Sequence, residues 1–221
     1  MLDISAGILA LKDKPSLFGG KKYLSDLGGR SLISRVTDVA FSLAKEVIVI
    51  ATSEDEAKAL SDTIAPLAGE VAYVVCDAFG EGTELSMAET ALTRSSCSRT
   101  VLLPGDAPFL SLEVLTTMAD LCMWRDAVVS RSPVGEAIPF PAIYDTEKAL
   151  AAIRASRAVN ASRMNDALQK LTHVMFLSSD VLAELDNGLL TFFSVYSPLD
   201  LRKAELILSG RFPRGRKKKS G

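Results

Sequence analysis

The sequence predicts an α/β protein with three layers, a mostly parallel, Rossmann-like sheet between two sets of helices. Three observations carry that reading. Short β-branched runs alternate with longer stretches of helical period from Ala6 to Arg131, and such alternation builds right-handed crossovers between parallel strands. "EVIVIAT", Glu46–Thr52, is a continuous apolar run of the kind buried on both faces of a parallel sheet. Polar residues that can accept from free helix N–H groups, Ser53 and Ser111, stand just before helical stretches.

The elements follow in order. "AGILAL" is a strand, and "RSLISRVTDVAFSLA" a helix with Leu32, Ile33, Val36, Val39, Ala40 and Leu43 on one face. After "EVIVIAT" come the acidic-led helix "EDEAKALSDTIAPL", the strand "EVAYVVCD", the helix "TELSMAETALTRSS" and the strand "TVLLPGD". The helix "SLEVLTTMADLCMW" and a fifth strand, "DAVVSR", complete this half. Beyond Pro133 the rhythm loosens. "IPFPAIY" carries two prolines and reads as an edge strand or an irregular segment. Two helices are expected around Thr146–Ser156 and Ala161–Leu171, strands at "HVMFLS" and "LTFFSVYS", and a closing helix in "SPLDLRKAELILSG" between a Ser197 cap and a Gly210 stop. Without a linker or repeat, residues 1–210 read as one domain, and the basic tail 211–221 as disordered.

Composition excludes several classes of function. The 221 residues are 48% hydrophobic and 24% charged, an ordinary globular balance, and 25 Lys and Arg against 27 Asp and Glu give a net charge of −2. That argues against a general nucleic-acid binder. The apolar run Ala6–Leu11 is too short to span a membrane, and no Lys- or Arg-led signal peptide precedes it, so a cytoplasmic location is expected. Cys76, Cys97 and Cys122 lack C-x-x-C spacing, and His173 is the one histidine, leaving neither a disulfide framework nor a zinc cluster.

Ligands of parallel sheets gather at the carboxyl ends of the strands, which singles out three polar loops. The first, "LALKDKPSLFGGKKYL" (Leu9–Leu24), sets Lys12, Lys14, Lys21 and Lys22 around Gly19 and Gly20. Glycines admit close approach of backbone N–H groups to phosphate, and lysines add point charge. A solvated turn explains the same residues. In "TVLLPGDAPFL" an apolar strand runs into Asp106, where a carboxylate either reaches a cation that also binds phosphate oxygens or simply makes a turn or caps the next helix. In "VVCDAFGEGTEL" a strand ends at Asp77 and a helix opens after Gly80 and Gly82. Asp77 either accepts from a guanine edge or terminates the strand.

Together these features resemble the MobA-like nucleotidyltransferases, a family that includes molybdenum-cofactor and adenosylcobinamide-phosphate guanylyltransferases. Leu9, Ala10, Gly19, Gly20 and Lys22 follow its glycine- and lysine-bearing signature, and "DLGGRSLISRV" its next motif. Leu103, Pro104, Asp106, Pro108, Phe109 and Leu110 match L-P-x-D-x-P-F-L, while Phe192, Phe193, Ser197, Pro198, Asp200 and Leu201 echo the closing motif. The resemblance implies a nucleotide-diphospho-sugar transferase type of fold and guanylyl transfer from GTP to a small phosphate-bearing acceptor such as molybdopterin. It implies Lys22 on the triphosphate, Asp106 on Mg²⁺, and a nucleotide site drawn from Leu9, Ala10, Leu11, Lys12, Lys14, Gly19, Gly20, Lys22, Asp77 and Gly82. The chain departs from the family where Leu11 and Lys12 replace a Gly-Gly pair, where Ser16 or Leu17 takes the place of an arginine, and where Ser194 and Tyr196 stand for asparagines. A rewired or weakened phosphate loop is the expectation. A cobinamide-phosphate acceptor, a sugar-phosphate acceptor and a catalytically silent nucleotide-binding or scaffold protein are the alternatives.

Overall fold

A computed structural model describes residues 2–11, 18, 22–68 and 72–211. Its first half follows the expected alternation: β1 (Leu2–Leu9), α1 (Leu32–Leu43), β2 (Ala44–Ala51), α2 (Glu54–Ala68), β3 (Ala72–Cys76), α3 (Glu84–Arg94), β4 (Arg99–Pro104), α4 (Leu112–Leu121) and β5 (Ala127–Arg131). The second half contains β6 (Ala137–Asp145), α5 (Thr146–Arg157), α6 (Met164–Leu168), β7 (Val174–Leu177), α7 (Ser179–Leu185) and α8 (Pro198–Leu208). Polar caps start the helices as their sequences suggest. The Ser31, Ser53, Ser111 and Ser197 hydroxyls each accept from the backbone N–H three residues on.

The seven strands form one sheet in the order β3-β2-β1-β4-β6-β5-β7. All share one direction except β6, which runs antiparallel to both β4 and β5. Helices α1, α2 and α4 pack together on one face, and α3, α5 and α6 on the other. Between them, Val47 to Ala51 of β2 are fully buried, as a strand covered on both faces requires. Gly7 lets α3 approach β1 closely, since a Cβ there would lie 2.8 Å from that of Ala91. A smaller apolar cluster, Leu27, Leu32, Val195 and Ala204, ties the turn before α1 to the C-terminal segment.

Two expectations fail, each for a physical reason. "IPFPAIY" is no edge strand; it belongs to β6, inside the sheet between β4 and β5. The ladder avoids its prolines: β4 pairs with residues 142–145, and β5 shifts register between its pairs with Ile138 and Ile143, so Pro139 and Pro141 fall outside the paired positions. "LTFFSVYS" is no strand either. Leu190–Phe192 form a 3₁₀ turn entered from a left-handed Leu189 (φ 54°), and the segment closes over the β4 corner instead of joining the sheet. The helix expected at Ala161–Leu171 shortens to α6, and α7 forms behind a Ser178 cap in a stretch with no expected element.

Candidate active site at the carboxyl edge of the sheet

From β1 the chain proceeds outward to β2 and β3, then returns to add β4 on the other side of β1. Strand order therefore reverses between β1 and β4, and the crevice at such a reversal is where open α/β sheets hold ligands. Lys22 follows β1 and Asp106 follows β4. At that crevice they meet: Lys22 Nζ donates to Asp106 Oδ2 at 2.6 Å, with side chains 4% and 7% exposed. A buried ion pair forms only where each charge offsets the cost of stripping water from the other.

Local structure fixes both partners. Lys22 opens a 3₁₀ turn, Lys22–Leu24, closed by Ser25 N–H donating to its carbonyl at 3.0 Å. The following "DLGGR" turn uses left-handed Gly28 and Gly29, and Arg35 donates to its Leu27 carbonyl. Asp106 sits on the Pro-Gly-Asp corner, where Gly105 N–H donates to Leu9 O at 3.0 Å. A Cβ on Gly105 would stand 3.1 Å from the Tyr23 ring and 3.2 Å from that carbonyl, so any larger residue would push the corner a few tenths of an ångström away from β1. On the other side, Val195 N–H donates to the Asp106 carbonyl at 3.0 Å. Two aromatic rings flank the ammonium, Tyr23 at 4.9 Å and Tyr196 at 5.7 Å from Lys22 Nζ.

The other candidates divide clearly. Leu9 and Ala10 are fully buried at the end of β1, and half-buried Leu11 follows them, its carbonyl taken by the Tyr23 hydroxyl. Lys12, Lys14, Gly19 and Gly20 lie outside the described residues. Asp77 and Gly82 come together in the β3–α3 loop. Asp77 Oδ1 accepts from Phe79 N–H and the Thr90 hydroxyl, both at 3.2 Å. Its Oδ2 accepts from Gly82 N–H at 2.8 Å and the Ser86 hydroxyl at 2.7 Å. A carboxylate has about four lone-pair positions; the Thr90 hydroxyl, with one proton, also lies 2.9 Å from the Ser86 carbonyl, so the loop fills three of them and shares the fourth. Gly80 and Gly82 take positive φ of 66° and 63°, which bends the loop round this carboxylate. A capping box of Thr83 and Ser86 then starts α3.

Sequence reasoning missed a clamp on this loop. Arg157, at the end of α5, donates to Glu81 at 2.6 Å and to buried Glu89, and its guanidinium carbon lies 3.7 Å from the centre of the Phe79 ring. Burial opposes the guanidinium charge, but the Glu89 and Glu81 carboxylates outweigh it and raise its pKa. No spacing in the sequence links residues 79 and 157. Tyr196 had a signal, its departure from the family's asparagine, which gave no role.

A divalent cation fits this chemistry. Among the described residues no three His, Cys, Asp or Glu groups cluster as an all-protein metal cage would. Mg²⁺ instead takes one or two carboxylates and fills its other positions with water and substrate phosphates. Asp106, a hard oxygen donor at the strand-order reversal, is the residue that would hold it. Among the described residues no helix is long and apolar enough to cross a membrane.

Comparisons with known proteins agree with this geometry. The family model of the MobA-like NTP transferase domain matches residues 13–175. A molybdenum cofactor guanylyltransferase of Mesorhizobium japonicum is 26% identical over 216 residues, covering 93% of this chain and 96% of that protein. Among solved structures, molybdopterin-guanine dinucleotide biosynthesis protein A from Archaeoglobus fulgidus superposes with a TM-score of 0.77 at 21% identity, covering 94% of this chain and all of the other. The 2-C-methyl-D-erythritol 4-phosphate cytidylyltransferase of Thermus thermophilus has the same fold, with a TM-score of 0.69 at 20% identity over 94% of this chain and all of that one. The fold is thus the three-layer nucleotide-diphospho-sugar transferase type. The chain belongs to the MobA-like NTP transferase family.

Proposed function

We propose that this MobA-like NTP transferase domain transfers a guanylyl group from GTP to the phosphate of a molybdopterin-type acceptor. An acceptor phosphate oxygen attacks the α-phosphorus, the new P–O bond forms, the bond to the β-phosphate bridging oxygen breaks, and pyrophosphate leaves. The observation that carries the reading is the buried Lys22–Asp106 pair at the strand-order reversal. A buried ion pair adds little net stability, which favours a chemical use for these two charges, and phosphoryl transfer is served mainly by charge and positioning.

In this reading the pair is a resting arrangement. An arriving triphosphate draws the Lys22 ammonium onto its oxygens, where it offsets the charge of the leaving pyrophosphate. Asp106 is released to hold Mg²⁺, which when bound would neutralise phosphate charge. The Tyr23 and Tyr196 rings keep water from the flanks of the ammonium and strengthen its pull on phosphate. Asp77 shapes the loop nearest the expected base position, and the three donors that hold its oxygens favour that role over direct reading of guanine.

Titration calorimetry with GTP, ATP and CTP, each with and without Mg²⁺, tests the proposal together with pyrophosphate release in the presence of molybdopterin. Metal-dependent binding selective for GTP and release of pyrophosphate are expected. No binding of any nucleotide at millimolar concentration would overturn it and leave the scaffold reading.

A further inference from the structure

Most acceptor positions of the Asp77 side chain are taken by its own loop, which leaves room for a second group to hold a nucleobase. Phe79 stands at the tip of that loop, between Asp77 and the left-handed Gly80 and Gly82, and is 44% exposed. The ring thus offers an open apolar surface at the tip of the loop. One face of the ring is covered by the Arg157 guanidinium at 3.7 Å, which leaves the exposure on the opposite face and edge. Arg157 is itself immobilised, bridging Glu81 in the same loop and Glu89 in α3.

Topology puts this pair at the ligand edge. Strand β6 is antiparallel, so α5, which follows it, starts at the opposite edge and runs back toward the carboxyl ends of β1–β4. Arg157 is its last residue and meets the loop that leaves β3 at that edge. A flat ring backed by a guanidinium and held on a stiff loop is a platform for a purine, because every base has a π-face and stacking tolerates any hydrogen-bond pattern.

We infer that Phe79 is the stacking platform for the nucleobase and that Arg157 is the positioning residue behind it. This rests on the proposed function and goes beyond it by assigning base affinity to an aromatic face in place of the aspartate. It separates two contributions: phosphates are held at Lys22 and Asp106, and the base at the β3–α3 loop. Stacking supplies affinity, and selection among bases falls to the backbone groups of the same loop.

The two contributions can be measured apart. The full chain is titrated calorimetrically with Mg²⁺–GTP and with inorganic tripolyphosphate plus Mg²⁺, which carries the phosphates alone. Phe79→Ala is expected to weaken GTP about tenfold, the range for loss of one base–aromatic stack, with tripolyphosphate unchanged. Phe79→Trp should keep GTP binding, and its new indole should be quenched by GTP but not by tripolyphosphate, over the constant emission of the single native Trp124. Arg157→Ala should weaken GTP by a smaller factor and Arg157→Lys should restore part of it, again without touching tripolyphosphate. Wild-type GTP affinity in Phe79→Ala would overturn the inference. So would parallel loss of both ligands, which would mark the loop as merely structural. Wild-type protein that binds tripolyphosphate as tightly as GTP overturns the platform and leaves the phosphate site standing; one that binds neither overturns the proposed function as well.

Discussion

Asp77 after β3 and Asp106 after β4 lie at the same edge of one sheet and are equally buried, 6% and 5% exposed. Their partners differ in kind. Asp77 is held by two backbone N–H groups and two hydroxyls, all within 13 residues of it, and among the described residues no cation takes part. Asp106 is held by an ammonium 84 residues away in the chain. Neutral local donors cannot be displaced without unfolding the loop, whereas a lysine can be exchanged for another cation when an anion draws it off. A buried carboxylate thus becomes structural or exchangeable according to what satisfies it. Burial alone does not decide.

The comparison breaks most sharply at Asp106. Asp106→Asn keeps the shape and removes the charge. It is expected to lower the rate of pyrophosphate release by about 10²–10³-fold, the effect of deleting one preorganised charge-stabilising group, and to abolish the Mg²⁺ dependence of GTP binding by calorimetry. Asp106→Ala should in addition cost stability, by about 3 kcal/mol or more for removing one partner of a buried ion pair, as read by urea denaturation.

Asp126, before β5, supplies a third case, intermediate between the two. It accepts from Lys148 Nζ at 2.6 Å, but also from Thr172 N–H, the Thr172 hydroxyl and His173 N–H, each at 3.0 Å. Burial raises its pKa, yet Lys148 and the N–H and hydroxyl donors outweigh that and hold it well below the usual carboxylate range. A depressed pKa stabilises the fold above the unfolded value, so this contribution should be complete above about pH 4 and fade as pH falls below it. Asp126→Ala is expected to cost about 2–3 kcal/mol near neutrality, on the scale of charged hydrogen bonds lost from a buried site, and to flatten the acid limb of a stability–pH curve.

Asp77 sharpens the comparison in the other direction. Asp77→Asn should lower stability by about 1–2 kcal/mol, since an amide accepts poorly at one of its two positions, and weaken all nucleotides alike. A changed ratio of GTP to ATP affinity would instead assign Asp77 to the base itself. Thr83→Ala, which removes only the cap of α3, should be the mildest, about 1 kcal/mol, seen as a small fall in Tm with turnover retained.

Much of this was legible because local chemistry and global role coincide in the first half. Caps, apolar runs and strand-end polar residues place β1 to β5 and bring Lys22 and Asp106 to the same edge. The second half hides its structure in long-range partners. Pro139 and Pro141 argue against an inner strand until the ladders of β4 and β5 are seen to skip them. "LTFFSVYS" has the β-branched and aromatic content of a strand, but Val195 is buried in the small cluster with Leu27 and Leu32, and Phe193 packs against it, its ring tilted against Phe109 at 5.9 Å between centroids. Asp77 and Asp106 look alike as letters; only their donors, found by folding, tell them apart. The clamp of Phe79 by Arg157 depends on β6 reversing the direction of α5, which no periodicity reports.

That reversal also bears on how the chain comes to be folded. Strand β5 is made before β6, yet β6 must lie between β4 and β5. During synthesis the edges of β4 and β5 therefore wait without partners while the intervening loop and β6 emerge, and waiting apolar edges invite association with other chains. The β1–β4 half, built from successive crossovers, has no such delay. The slowest and most aggregation-exposed step of assembly is thus expected to be the insertion of β6, well after the crevice between β1 and β4 has formed.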